Sequence, residues 1–198
     1  LTVTTYLLGL AAGQFAWGPV SDRYGRKPVL VIGLALFFAS SLACSMAQSM
    51  QEVAAWRLAQ GIGMSSGPVI ARSITRDLYA REQAAQLLGR MTAVFGLVPV
   101  FGPLLGAQAI AWHGWPTVFW VYTAAAAALL AAVLARLPET APAERASIAP
   151  RRLAANLALL LGDRRFLAAL APMLSAQMAI IAFVSSSSLV AVDALGLT

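Results

Sequence analysis

Residues Gly18 to Leu30 read Gly-Pro-Val-Ser-Asp-Arg-Tyr-Gly-Arg-Lys-Pro-Val-Leu and lie between two long apolar segments. One acid and three bases fall in the six positions Asp22 to Lys27, punctuated by two glycines and two prolines across the stretch. A connection this short between two apolar helices must turn tightly, and Gly25 can take the positive φ that other residues resist. Three cations in one short turn place it on the cytoplasmic side of a membrane. That assignment fixes the direction of every other segment.

Composition supports a membrane chain. Hydrophobic residues make up 60% and charged residues 11% of the 198 positions, with a mean hydropathy of +0.75. A soluble domain is about half apolar and a quarter charged. The net charge of +6 follows from where the loops lie and requires no nucleic acid. Cys44 is the single cysteine and His113 the single histidine. An internal disulfide and a multi-histidine metal site are thereby excluded, and Cys44 reads as a small buried hydrophobe.

A membrane-spanning helix needs about 20 apolar residues. Six candidates occur: about Thr2 to Trp17, Val29 to Met46, Glu52 to Ile70, Leu87 to Ala109, Pro116 to Ala135 and Phe166 to Val192. The fold class is therefore all-α, a polytopic transmembrane helical bundle. Gly9 with Gly13, and Gly63 with Gly67, have the spacing that lets helix backbones approach closely. Pro99 and Pro103 each remove a helix hydrogen bond and predict a bend in the fourth segment. Between Arg136 and Arg165 lie Pro138, Pro142 and Pro150 and six arginines. Leu153, Leu157 and Leu160 recur there at helical spacing and predict a short surface helix.

The charges test this topology. Twelve of the fourteen basic residues fall in the stretches 18–28, 72–86 and 136–165 or at their borders, the exceptions being Arg57 and Arg90. The links around Ala47 to Gln51 and Trp112 to Trp115 carry no lysine or arginine. Positive residues concentrate on cytoplasmic loops, so these three stretches are expected on the cytoplasmic side of the membrane.

Arg57 stands inside an apolar segment, where a cation costs about 2.5–3.5 kcal/mol on insertion scales. It should face a water-filled cavity or a carboxylate. The alternative is snorkelling, since the outer end of the segment is only about 7–8 Å away. Met64 follows Arg57 by seven residues and shares its helix face. Gln60, Met64, Met91 and Gln177 read either as cavity lining or as core packing. Arg90 reads as snorkelling.

Three motifs carry a resemblance. Gly18-x-x-x-Asp22-Arg23-x-Gly25-Arg26-Lys27 resembles the loop 2–3 signature of the major facilitator superfamily. Its Gly-Pro opening and Arg-Lys-Pro-Val-Leu ending are most similar to the bicyclomycin/chloramphenicol-resistance branch of drug:proton antiporters. Arg57-Leu-Ala-Gln60-Gly61-Ile-Gly63 resembles that family's second motif, and Gly102-Pro103-x-x-Gly106, preceded by Gly96, resembles its antiporter motif. Two positions depart from the fuller antiporter pattern: Val98 stands where a glycine is usual, and Ala107 replaces the last glycine. "Leu-Pro-Glu-Thr" at Leu137 to Thr140 resembles the end of the family's sixth span.

The resemblance implies a fragment covering spans 2–7 of a twelve-span protein. Residues 1–137 would form the N-terminal half (spans 2–6), 138–165 a cytoplasmic connector, and 166–198 the start of the second half. It implies export of small amphipathic drugs in exchange for protons by alternating access, without a cofactor, by a protein monomeric when complete. Arg57, Gln60 and Met64 would serve proton coupling and substrate binding. Gly18, Asp22, Arg23, Gly25, Arg26, Lys27 and Asp77 would form a conformational gate. Gly96, Gly102, Pro103 and Gly106 would set antiport. A metabolite exporter or sugar-type facilitator on the same fold is the alternative within transport. A membrane-embedded enzyme lacks any acid or Ser/His cluster inside the spans. A scaffold without transport leaves the costly Arg57 unexplained.

Overall fold

The structure, a computed structural model, describes residues 2–141, 155 and 158–195, with side chains except at 99, 100, 103, 104, 112, 180, 181 and 183–195. The chain divides into two compact units, residues 1–147 and 148–198.

The first unit contains five helices: α1 (Thr2–Tyr24), α2 (Arg26–Met46), α3 (Met50–Leu78), α4 (Arg81–His113) and α5 (Pro116–Arg136). Successive helices reverse direction through turns of one to three residues. Tyr24, Arg26, Leu78, Arg81 and Arg136 therefore cluster at one end of the bundle, the basic end. The turns follow local chemistry. Gly25 breaks α1 from α2 at φ 107°, a region that disfavours any residue with a Cβ. Ser49 caps α3 by accepting from the Glu52 N–H at 3.2 Å, and Glu52 accepts in return from the Gln48 N–H at 3.0 Å. This is a reciprocal cap that satisfies two otherwise orphaned donors. Gly114 turns at φ 79°, and Pro116 opens α5, where its missing N–H costs nothing.

α3 packs against both α1 and α2, and α2 lies between α3 and α5. Backbone proximity, made possible by glycine, explains the α1–α3 contact. A methyl group on Gly9 would run into the Leu58 carbonyl, and one on Gly61 into the Tyr6 carbonyl. The Trp17 indole N–H donates to the Ile62 carbonyl at 2.7 Å across the same seam. Nearer the basic end, Val29, Leu30, Leu34 and Ile70 are buried together, flanked by Trp17, Val20, Ile74, Leu130, Val133 and Leu137. α4 is the least covered helix of this unit and contacts α3 and α5 only lightly.

Several sequence expectations require correction. The stretches 18–28 and 72–86 are not loops: α1 continues to Tyr24 and α3 to Leu78, leaving breaks at Gly25 and at Tyr79–Ala80. Charged residues mark where a helix leaves the apolar zone, and the backbone there still gains from its own hydrogen bonds. The Gly63–Gly67 pair is half right. Gly63 abuts the Phe37 backbone, whereas a Cβ on Gly67 would meet nothing within 4 Å. α4 continues as one helix through Pro99 and Pro103, so the prolines do not end it, and the bend remains an expectation. Among the described residues two helices are long and apolar enough by themselves to cross a membrane, α2 and α5, at mean hydropathies of 2.3 and 2.1. α1 and α3 are diluted by the glycines, serines, glutamine and arginine through which they pack.

In the second unit α6 (Arg164–Leu195) is a single helix with Pro172 inside it. Its start is set by Asp163, which accepts from the Arg165 N–H at 2.8 Å. Thirty-two residues span about 48 Å, more than the roughly 30 Å of a hydrocarbon core. Of the expected surface helix, residues 158–162 are helical and Leu160 is half exposed; Leu153 and Leu157 lie outside the described residues.

Candidate functional site

At the basic end Arg26 joins three helices. Its Nε donates to Asp77 Oδ2 at the end of α3 at 2.9 Å, and its Nη1 donates to Asp22 Oδ1 and, at 2.8 Å, to Ser21 Oγ near the end of α1. The positive φ of Gly25 makes this possible, because it reverses the chain within one residue and returns Arg26 toward α1. The two ion pairs differ. The Arg26 and Asp77 side chains are 8% and 16% exposed, that of Asp22 44%. Coulomb attraction is far less screened in the first pair.

Lys27 Nζ donates to the Leu134 carbonyl in the last turn of α5 at 3.1 Å, where helix carbonyls lack partners. Arg23 is exposed, with its guanidinium 5.8 Å from the Tyr24 ring. Gly18 lies within α1, and among the described residues no atom of another element lies within 4 Å of where its Cβ would be. The structure thus brings Asp22, Arg26 and Asp77 into one junction, with Gly25 as its turn and Lys27 beside it.

Sequence reasoning gave no role to Glu139. Its Oε1 accepts from the backbone N–H groups of Arg26, Thr140 and Ala141, each at 2.9 Å. Burial pushes its carboxyl up, but the N–H groups of Ala141, Arg26, Thr140 and Lys27 outweigh that and hold it below the usual carboxylate range. Next to it, Thr140 Oγ1 is the buried side-chain polar atom without a hydrogen-bond partner among the described residues.

Arg57 sits toward the opposite end. Its Nη1 donates to Gln60 Oε1 at 2.6 Å, and Gln60 Nε2 donates to Ser41 Oγ on α2 at 2.7 Å. Gln60 and Ser41 are fully buried. The guanidinium carbon lies 4.2 Å from the Tyr6 ring centroid and 5.9 Å from that of Phe119. Aromatic faces attract a cation, more strongly when water is excluded. The side chain therefore lies among α1, α3 and α5 and pairs with a residue one turn further from the α3 N-terminus. Tyr6, Ser41 and Phe119 were missed because each belongs to another helix and none stands in a motif. Met64 lies two turns on and is 38% exposed.

Among the described residues the antiporter-motif glycines are not brought onto a neighbour: Cβ atoms on Gly96, Gly102 or Gly106 would meet none of their atoms within 4 Å. The Pro103 side chain lies outside the described residues.

Helices of alternating direction, a largely buried arginine–carboxylate clasp at the basic end and a second arginine held among three helices define a polytopic helical-bundle protein. The profile of the Major Facilitator Superfamily matches residues 1–198. The chain belongs to that superfamily. It is 38% identical over 120 residues to a chloramphenicol resistance protein of Pseudomonas aeruginosa, covering 60% of this chain and 29% of that one. It is 30% identical over 139 residues to a bicyclomycin resistance protein homologue of Haemophilus influenzae, covering 70% and 35%. It is 32% identical over 197 residues to the multidrug resistance protein MdtL of Escherichia coli, covering 99% and 49%. The chain thus spans about half the length of these relatives or less. Its fold is similar to the crystal structure of the human organic anion transporter MFSD10, with a TM-score of 0.64 and 28% identity over 80% of this chain and 37% of that one.

Proposed function

We propose that this chain is spans 2–7 of an exporter that exchanges small amphipathic drugs for protons by alternating access across a bacterial inner membrane. Residues 1–137 supply most of the N-terminal half, 138–165 the connector and 166–198 the start of the second half, and the complete protein works as a monomer. The basic end faces the cytoplasm, as the lysine and arginine distribution requires. The observation that carries this reading is Arg26 held at once by Asp22 and Asp77. A junction made of charge can be broken and re-formed without unpacking a core, which is what a two-state gate needs. Arg57, in its aromatic and amide surroundings, serves proton coupling with Gln60, and Met64 lines the substrate path. Gly96, Gly102, Pro103 and Gly106 are the residues of α4 that set antiport in this reading. The names of the relatives support chloramphenicol- and bicyclomycin-like substrates.

The test uses the full-length protein in everted membrane vesicles with a pH-gradient dye. Addition of chloramphenicol or bicyclomycin should collapse the gradient. Arg57→Ala should abolish the response while insertion persists, and Asp22→Asn should reduce turnover more than expression. An unchanged response in Arg57→Ala refutes the coupling role. A response to organic anions and to neither drug would favour a metabolite exporter, a reading to which the likeness to an organic anion transporter lends weight.

A further inference from the structure

α2 has no cap of its own. The residue before it is Gly25, and no side chain nearby in sequence accepts from its first turn. The first N–H groups of a helix lack internal partners and lie at the positive end of its dipole. Here the acceptor arrives from 113 positions away: Glu139 Oε1 takes the Arg26 N–H at 2.9 Å. The exchange is mutual, because Lys27 in the same turn donates to the Leu134 carbonyl at the other end of the contact. Glu139 is itself fixed by the Thr140 and Ala141 N–H groups. Arg26 is thus held by its backbone from the α5 side and by its guanidinium from the α1 and α3 sides.

We propose that Glu139 is a positioning residue for the gate: by capping α2 it sets the turn that delivers the Arg26 guanidinium to Asp22 and Asp77. The cap ties the end of α5 to the clasp, so any displacement of that end is felt at Arg26. The effect on turnover rests on the transport reading above, but the effect on the junction does not.

Two sets of measurements on the full-length protein separate them. Amide hydrogen exchange reads the cap directly. Glu139→Ala should speed exchange at Arg26 and Lys27 at least tenfold. Glu139→Gln, which keeps an acceptor oxygen and loses the charge, should speed it at least twofold. Junction geometry is read by labelling Ser21→Cys, in a Cys44→Ser background, with a membrane-impermeant maleimide. Ser21 is fully buried, and its labelling should rise at least fivefold when Glu139→Ala is added. In vesicles, Glu139→Ala should lower kcat at least fivefold with KM within twofold, and Glu139→Gln should restore at least half of the lost rate. Unchanged exchange and labelling in both variants would overturn the proposal, as would a raised KM at constant kcat. If the unmodified protein moves no compound, the transport reading fails, and exchange and labelling still decide the role of Glu139. If Glu139→Ala does not insert, Glu139→Gln carries the test alone.

Discussion

Asp22 and Asp77 pair with the same guanidinium, yet they should behave differently when removed. Asp77 and Arg26 are largely buried, and taking one partner from a buried pair costs about 3–5 kcal/mol because the other is left charged and dry. Asp22 retains much of its contact with water, and exposed pairs contribute about 1 kcal/mol or less. Asp77→Ala should lower the unfolding free energy of the full-length protein in detergent by about 3 kcal/mol, since Asp22 and Ser21 remain, and Asp22→Asn by about 1 kcal/mol or less. Equal losses would contradict the burial argument. Glu139 adds a pH dependence of known sign. Its folded pKa lies below the unfolded value, so the unfolded state binds more protons in that interval. The stability it contributes is fully present above the unfolded pKa of about 4.3 and is lost as pH falls through the folded value. Glu139→Gln should flatten the acid limb of the stability curve in that window. The family resemblance pointed to Asp22, Arg26 and Asp77 as a gate. It gave no role to Glu139, because a carboxylate that caps a helix 113 residues away has no local signature.

At the scale of elements, two glycines test two different physical causes. Gly25 is required for its dihedral, φ 107°, and a residue with a Cβ there costs about 1–3 kcal/mol of strain. Gly25→Ala should lower the midpoint of thermal unfolding and disturb the Arg26 clasp together. Gly61 is helical and is required for space, since a Cβ there would run into the Tyr6 carbonyl. Gly61→Val should push α1 from α3 and lower the yield of folded protein more than Gly25→Ala does. Gly67→Ala meets no atom among the described residues and should leave yield unchanged. Spacing alone made Gly63 and Gly67 equivalent. Only the direction in which each faces, toward α2 or toward no described neighbour, separates them. Helix ends were misplaced for a related reason. Charge reported where the apolar zone stops, and the backbone went on forming hydrogen bonds for about two further turns in α1 and α3.

For the molecule as a whole, the two-sided distribution of basic residues makes a topological prediction. Single cysteines at Tyr24, Trp115 and Arg136, in a Cys44→Ser background, should label from opposite sides: Tyr24→Cys and Arg136→Cys in everted vesicles, Trp115→Cys in intact cells. Labelling of all three from one side would refute the alternation. The sequence by itself determined the helical class, the approximate segments, their alternation and the charged turn around Gly25, because hydropathy, glycine spacing and loop charge are properties of consecutive residues. The tertiary structure decided the rest. It set which glycines are pressed against a neighbouring backbone, that Arg57 lies against Tyr6, Phe119 and Gln60, and that Glu139 caps α2. These depend on distances between helices far apart in the chain. In a bundle whose segments are all apolar, the polar partners and close approaches that select one arrangement are visible only once the helices are packed.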